Sequence, residues 1–321
     1  NTEKTIENYI EVTKRKDDYY QAWFNLGNIY SKQGKLREAI HAFTKVTEFK
    51  PELHQLWYNL GNLYTKLDKI ESAIENYEKS LQLKPDLILN LTNLPALYYR
   101  LENYDKAIET YNKILHFRPD NIPALISIAK IFNKLSQYDG AIKYFEKVIE
   151  IKNDDVPTLK AIAELYRKIG DIEKTIEYFE KIAQFTPKDF SIYYKIANNY
   201  SEQKNFLKAV PYYNKVLKIN GEHVETLTEL APIYEELRHK DKAIEIYQKL
   251  VEVQPENAQA WYKIGKDYYF KENYDNAIQC FEKALGLNFI EDIYRCLGFI
   301  YFKVGNFEKA ENYFLQELKR T

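Results

Sequence analysis

The sequence predicts an all-α solenoid of tandem helix-turn-helix repeats, and three observations predict it. First, Trp23, Leu26, Gly27 and Tyr30 recur 34 residues later as Trp57, Leu60, Gly61 and Tyr64. Self-similarity at such a period marks a stacked repeat architecture. Second, within each unit positions 4, 7, 8 and 11, and then 17, 20, 24 and 27, fall on single stripes at about 100° per residue, which gives two amphipathic helices per unit. Third, Pro51, Pro85, Pro119, Pro187 and Pro255 return at position 32, where a residue that cannot continue a helix ends the second one. A long coiled coil is excluded, because it needs an unbroken seven-residue pattern without spaced prolines.

Taken in order, residues 1–19 hold a second helix of a preceding partial repeat plus its turn, with Tyr9 and Val12 at the equivalents of positions 24 and 27. Residues 20–321 hold nine repeats, expected to form one continuous solenoid. They start at Tyr20, His54, Ile88, Ile122, Val156, Phe190, Val224, Ala258 and Glu291, and only the last spacing slips, to 33. Position 11 is aromatic in every repeat, from Tyr30, Tyr64 and Tyr98 to Tyr301, and position 24 is Tyr or Phe throughout. These rings are expected to fill the space between units. Position 8 is Gly or Ala in all repeats but one, so that the paired helix can approach, and position 20 is Ala except at Thr175. Three repeats depart from the pattern. Pro95 takes position 8 of repeat three, Pro211 lies inside a second helix in repeat six, and Pro232 takes position 9 of repeat seven. Each is expected to remove a backbone hydrogen bond and kink its helix. Lys240 also replaces an apolar residue in repeat seven.

Over nearly its whole length this pattern resembles the tetratricopeptide repeat (TPR) family. The resemblance implies a right-handed superhelical α-solenoid whose first helices line a concave groove, and a role in binding other proteins. The chain begins in mid-repeat and holds no methionine. It ends on a second helix without the polar cap that solenoids normally carry. A larger chain or complex extending beyond both ends is therefore expected.

Charge and motif content bound the function. With 46 basic and 47 acidic side chains the formal net charge is −1, so no global field draws the chain to nucleic acid or anionic lipid. The rings at positions 11 and 24 are expected to be buried and unavailable for base stacking, which argues further against nucleic acid. No stretch is apolar and long enough for membrane insertion. Cys280 and Cys296 lack zinc-ligand or disulfide spacing, and an intracellular, cytoplasmic place is expected. The five histidines form no catalytic or metal-binding spacing, so no enzyme activity, cofactor or metal is expected. Gly27 to Gly34-Lys35 departs from phosphate-loop spacing, and the sequons at Asn90 and Asn199 lie on expected helices.

Binding is expected on the concave face, which stacking leaves open. In each first helix positions 2, 5, 6, 9, 12 and 13 cluster roughly 150° from the buried stripe, and the family resemblance places this face in the groove. In repeats one to five it carries Lys32, Lys66, Arg100, Lys130, Lys134, Lys160, Arg167 and Lys168 against the single acid Glu164. Repeat seven reverses the sign with Glu225, Glu229, Glu235 and Glu236. Asn25, Asn59 and Asn93 at position 6, with Asn28 and Asn62 at position 9, form an amide ladder able to hold a peptide backbone without reading its sequence. The expected partner is a protein segment, extended and acidic or phosphorylated, bound by a scaffold or adaptor within a multiprotein assembly. The ladder also resembles the substrate-recognition arm of O-linked N-acetylglucosamine transferases, which would make this chain part of a larger enzyme. The chaperone-tail clamp of some family members is disfavoured, because Phe24, Tyr58 and Tyr194 stand where that clamp needs lysine. Tyr262, Tyr269, Phe270, Phe299 and Phe302 form a second aromatic surface, read as a docking site or as a covered face.

Overall fold

A computed structural model describes residues 2–86, 92–289 and 292–319. Among them are nineteen α-helices and no strand, grouped in two compact units, 1–165 and 166–321. First helices, mostly of 13 residues, alternate with second helices, mostly of 14, as in Tyr20–Lys32 with Leu36–Phe49 and His54–Lys66 with Ile70–Leu83. Helices also open at Ile122, Val156, Phe190, Val224 and Ala258, where the 34-residue spacing places repeat starts. The expected starts Ile88 and Glu291, like the sequon at Asn90, lie outside the described residues. The first helices of those two repeats are described as Leu94–Arg100 and Ile293–Lys303.

The two helices of a repeat are joined by one recurrent turn. Position 15 is left-handed in all nine repeats, at Gly34, Gly170 and Gly305 but also at Asp68, Glu102, Ser136, Lys204, Arg238 and Glu272. The following N–H returns to the position 11 carbonyl, as Lys69 to Tyr64 at 2.9 Å and Asn205 to Tyr200 at 2.9 Å. Position 15 itself donates to position 12, as Asp68 to Thr65 at 3.1 Å. The pair of bonds closes the carbonyls that a helix end leaves open and reverses the chain within two residues. Position 16 then starts the second helix, and Asn103, Asp171, Asn273 and Asn306 cap it by accepting from the backbone N–H three residues on.

Packing across the hairpin explains the small residue at position 8. A Cβ on Gly27 would meet the Phe43 ring at 2.7 Å, and one on Gly61 would meet the Tyr77 ring at 2.7 Å. Gly265 against Phe281 and Gly298 against Phe314 repeat the contact at 2.9 and 2.6 Å. The ring at position 24 therefore lies on the backbone at position 8, and Phe43, Tyr77, Phe179, Tyr213 and Phe281 are buried there. Thr175, which replaces the usual alanine, is also fully buried, with its hydroxyl donating to the Asp171 carbonyl at 2.8 Å. Between repeats, the indole N–H of Trp23, Trp57 and Trp261 donates to the carbonyls of Asp17, Pro51 and Pro255 at 3.0, 2.7 and 2.8 Å, which pins each incoming turn.

Pro95 differs from expectation. Pro95 interrupts no helix: the described helix begins at Leu94, so its missing N–H falls in the first turn, where that group has no intrahelical partner. Pro211 and Pro232 lie inside the helices Phe206–Ile219 and Val224–Glu236, which keep the 14 and 13 residues of their counterparts. Lys240 is the first residue of its helix and is exposed, so its charge stays in water. The 33-residue spacing before the last repeat coincides with a different turn. The second helix of repeat eight ends at Gly286, Asn288 is left-handed at φ 61°, and the Phe289 N–H returns to Ala284.

Candidate ligand-binding groove

In unit 1 the first helices Tyr20–Lys32, His54–Lys66 and Leu94–Arg100 wall a concavity of about 650 Å³. Positions 6, 9, 12 and 13 line it, because these lie within one arc of the helix opposite the packed stripe. The structure thus brings together Asn28, Asn59, Asn62 and Asn93 with Lys32, Lys66 and Arg100. Ser31, Thr65, Ala96, Leu97 and the Phe43 ring complete the lining.

The amides are not equivalent. Asn25 is drawn away, its Nδ2 donating to the Tyr9 hydroxyl at 3.2 Å. Asn62 and Asn93 are organised around a residue that the groove positions do not include, Tyr77. The buried Tyr77 O–H donates to Asn62 Oδ1 at 2.7 Å, and Asn93 Nδ2 donates to Asn62 Oδ1 at 3.1 Å and to the Tyr77 oxygen at 3.2 Å. Burial pushes the Tyr77 phenol pKa up, and hydrogen bonds from Thr65 and Asn93 partly oppose the rise. Among the described residues this leaves the Asn62 amide N–H groups and the Asn93 side-chain carbonyl oxygen without a hydrogen-bond partner, on residues that line the concavity, one donor set and one acceptor. In repeat one position 24 is Phe43, which has no hydroxyl to offer Asn28. A tyrosine at 24 paired with an asparagine at 9, found also as Tyr213 and Asn198, is the sequence signal that marks this arrangement.

The basic side chains divide likewise. Arg100 Nη2 lies 2.6 Å from Asp68 Oδ1, and Lys134 Nζ lies 3.4 Å from Glu102 Oε1. Asp68 and Glu102 are the left-handed turn residues of the preceding repeat, so each pair bridges two repeats and lowers the positive charge expected at positions 100 and 134. Being exposed, such pairs contribute only about 0–1 kcal/mol. Lys32, Lys66 and Lys130 are exposed and make no ion pair among the described residues. Lys130, Lys134 and Lys160 lie further along unit 1, outside the concavity, and Arg167 and Lys168 belong to unit 2.

The second aromatic surface needs a correction. Tyr262 is 2% exposed, packs on Phe281 and Phe289, and its hydroxyl bonds Asp292, so it is a core residue and not a docking ring. Tyr269 is half-buried beside Tyr274. Phe270, Phe299 and Phe302 remain exposed, at 73%, 48% and 55%.

Among the described residues no group of three His, Cys, Asp or Glu side chains is placed to hold a metal ion, and no helix is long and apolar enough to cross a membrane. Cys280 and Cys296 are buried free thiols whose pKa values are pushed up to about 11, chiefly by burial.

With this geometry in hand, comparison places the chain. Sequence models of the tetratricopeptide repeat match residues 20–53, 54–87 and 258–288, residues 200–266, and residues 96–121, 122–155 and 161–189. Curated proteins offer no significant sequence match. Among solved structures, the C-terminal part of a TPR repeat-containing protein from Cytophaga hutchinsonii is similar, with a TM-score of 0.53 and 19% identity over 74% of this chain and 97% of that one. A tetratricopeptide repeat protein from Parabacteroides merdae gives 0.46 and 19% over 88% and 98%. YrrB, described as a TPR protein with an unusual peptide-binding site, gives 0.44 and 22% over 59% and 98%. The 34-residue period, the helix hairpins with their ring-on-glycine packing, and matches to the repeat along most of the sequence agree: the chain belongs to the tetratricopeptide repeat family.

Proposed function

We propose that the protein is an interaction scaffold, supplying binding and no chemistry, whose unit 1 groove holds an extended acidic or phosphorylated segment of a partner protein. The observation that carries this reading is the convergence of Lys32, Lys66 and Arg100 on one concavity floored by asparagines. Amide N–H and C=O groups left unused on adjacent repeats match the alternating acceptors and donors of an extended backbone, which gives affinity without sequence demand. The basic rim then selects for carboxylates or phosphates and steers their approach. Position 24 rings such as Phe43 and Tyr77 are buried in the hairpins, so they are not offered to nucleobases.

The test is fluorescence anisotropy with a labelled twelve-residue peptide rich in glutamate and phosphoserine. The double variant Lys32→Glu/Lys66→Glu is expected to lower affinity about tenfold or more, since two favourable charge contacts become repulsive. Affinity of the parent protein should fall as salt is raised. Both lysines are exposed, so thermal stability should hold. Unchanged affinity in a folded double variant refutes the proposal.

A further inference from the structure

Unit 1 holds two junctions built from the same parts, and they differ by one oxygen. Between repeats one and two, Asn28 at position 9 and Asn59 at position 6 line the concavity together with Phe43 at position 24. Between repeats two and three, Asn62 and Asn93 hold the same positions, and position 24 is Tyr77. Asn93 Nδ2 lies 3.1 Å from Asn62 Oδ1 and 3.2 Å from the phenol oxygen, which lies 2.7 Å from Asn62 Oδ1. Asn28 and Asn59, with no phenol to meet, make no side-chain hydrogen bond among the described residues. The Tyr77 hydroxyl is therefore what draws the second pair of amides together.

This hydroxyl also fixes which way the two amides turn. Thr65, the phenol's other polar neighbour, sends its own proton to the Gly61 carbonyl at 2.8 Å, and the phenol has one proton to give. If both amides turned their carbonyls inward, oxygen would oppose oxygen at the 3.1 Å where oxygen and nitrogen now meet, and that proton could serve only one of them. If both turned their NH2 groups inward, donor would oppose donor. Only matched orientations remain. In each of them one amide has N–H groups to spare and the other a carbonyl, on residues that line the concavity. Tyrosine at position 24, with asparagine at position 9 of its own repeat and at position 6 of the next, occurs once in the sequence.

A ligand that satisfies this pair carries an acceptor and a donor together. One residue of an extended chain does so, because its N–H and C=O lie on the same edge. Proline brings a carbonyl alone and leaves the amide oxygen facing no donor, so that a hydrogen bond goes unmade. At the Phe43 junction the amides are free to turn, and no such demand arises.

We propose that Tyr77 is a positioning residue for specificity: it locks Asn62 and Asn93 so that the groove demands a backbone N–H, and rejects proline, at one residue of the bound segment. The inference rests on the reading of this groove as a peptide site.

The test uses the whole chain and a labelled twelve-residue peptide of serine and threonine with one phosphoserine, which fixes its register against the lysines. Each backbone N–H is replaced in turn by an ester oxygen. One replacement is expected to weaken binding at least tenfold and the others less than threefold, and proline at the sensitive residue should weaken it at least as much as the ester. Phenylalanine already fills position 24 at Phe43, Phe145, Phe179, Phe281 and Phe314, so Tyr77→Phe keeps the fold. In that variant the sensitive replacement should cost less than threefold. Mere damage to the hairpin would weaken every peptide alike and leave the ratio between amide and ester unchanged. A scan with no sensitive position, or the same tenfold ratio in Tyr77→Phe, overturns the proposal. Lys32→Glu/Lys66→Glu acts on charge and not on this ratio. A flat scan beside an intact lysine effect therefore removes the role of Tyr77 alone, and a tenfold ratio without a lysine effect removes the acidic preference alone.

Discussion

At the scale of single residues, the contact between position 8 and position 24 links the core to the groove. Adding a Cβ at Gly27 or at Gly61 creates the same 2.7 Å overlap, with Phe43 or with Tyr77. The two rings differ in what holds them. Phe43 can tilt away at the cost of packing alone, whereas Tyr77 is tied by hydrogen bonds to Asn62 and Asn93. Gly61→Ala is therefore expected to destabilise the protein by about 1–3 kcal/mol, an ordinary overpacking cost, and by more than Gly27→Ala. It should also weaken the acidic peptide, because displacing Tyr77 disturbs the amides that face it. Urea midpoints of the two variants, set beside anisotropy titrations, check the order. Equal midpoints and equal affinities would show that the phenol is held no more tightly than the phenylalanine. Alanine at the same place in repeats four to seven, Ala129 among them, shows that the helices can separate enough when the whole hairpin is built for it.

At the scale of elements, the helices were readable because their determinants repeat: stripe positions, a small residue at 8, a ring at 24 and a proline after the second helix. The turn was not. Six of the nine left-handed residues at position 15 are not glycine, so composition hides a conformation that the two backbone bonds impose. For the same reason the acids Asp68 and Glu102, which project from that turn toward the next repeat, were missing from the groove charge, and Arg100 and Lys134 looked unpaired. Asparagine positions were legible as a face, but the role of Tyr77 was not, because stripe counting assigns position 24 wholly to the core. Tyr262 was misplaced because position 5 borders the packed stripe. The Asn288 turn brings Phe289 onto its ring and Asp292 to its hydroxyl. The turn offers a direct test. A side chain at positive φ costs about 1–2 kcal/mol, and glycine returns about 0.5–1 of this as chain entropy. Lys204→Gly and Arg238→Gly, at φ 56° and 59°, should each raise stability by roughly 0.5 kcal/mol or more. Urea denaturation measures it, and a fall in midpoint would mean that the turn is held by side-chain contacts instead of backbone geometry.

At the scale of the molecule, a net charge of −1 conceals segregation, with bases on the groove positions of the early repeats and carboxylates on those of repeats six and seven. The tyrosines are segregated too, and that has a consequence for stability. Phenols with a raised pKa include Tyr77 and Tyr98 in unit 1, but Tyr200, Tyr212, Tyr213, Tyr247, Tyr269 and Tyr313 in unit 2. Burial is the largest cause in each, and Glu78 and Glu180 add to it by accepting from Tyr98 and Tyr212. A raised phenol pKa means that the folded chain keeps a proton which the unfolded chain loses near pH 10, the ordinary tyrosine value. The folded state then binds more protons, so the stability from these groups is complete below pH 10 and declines as pH rises above it. The limit is about 1.4 kcal/mol per pH unit for each proton wholly retained, and solvent screening reduces it at half-exposed rings such as Tyr200 and Tyr269. With six of these eight phenols in unit 2, that unit should lose stability faster than unit 1 between pH 9.5 and about 11. The tryptophans allow the units to be read apart, since Trp23 and Trp57 report on unit 1 and Trp261 on unit 2. In single-tryptophan variants, with phenylalanine at the other two positions, the urea midpoint seen by Trp261 should drop with alkaline pH more steeply than that seen by Trp57. Parallel slopes, or a steeper loss at Trp57, would show that the buried phenols of unit 2 ionise as freely folded as unfolded.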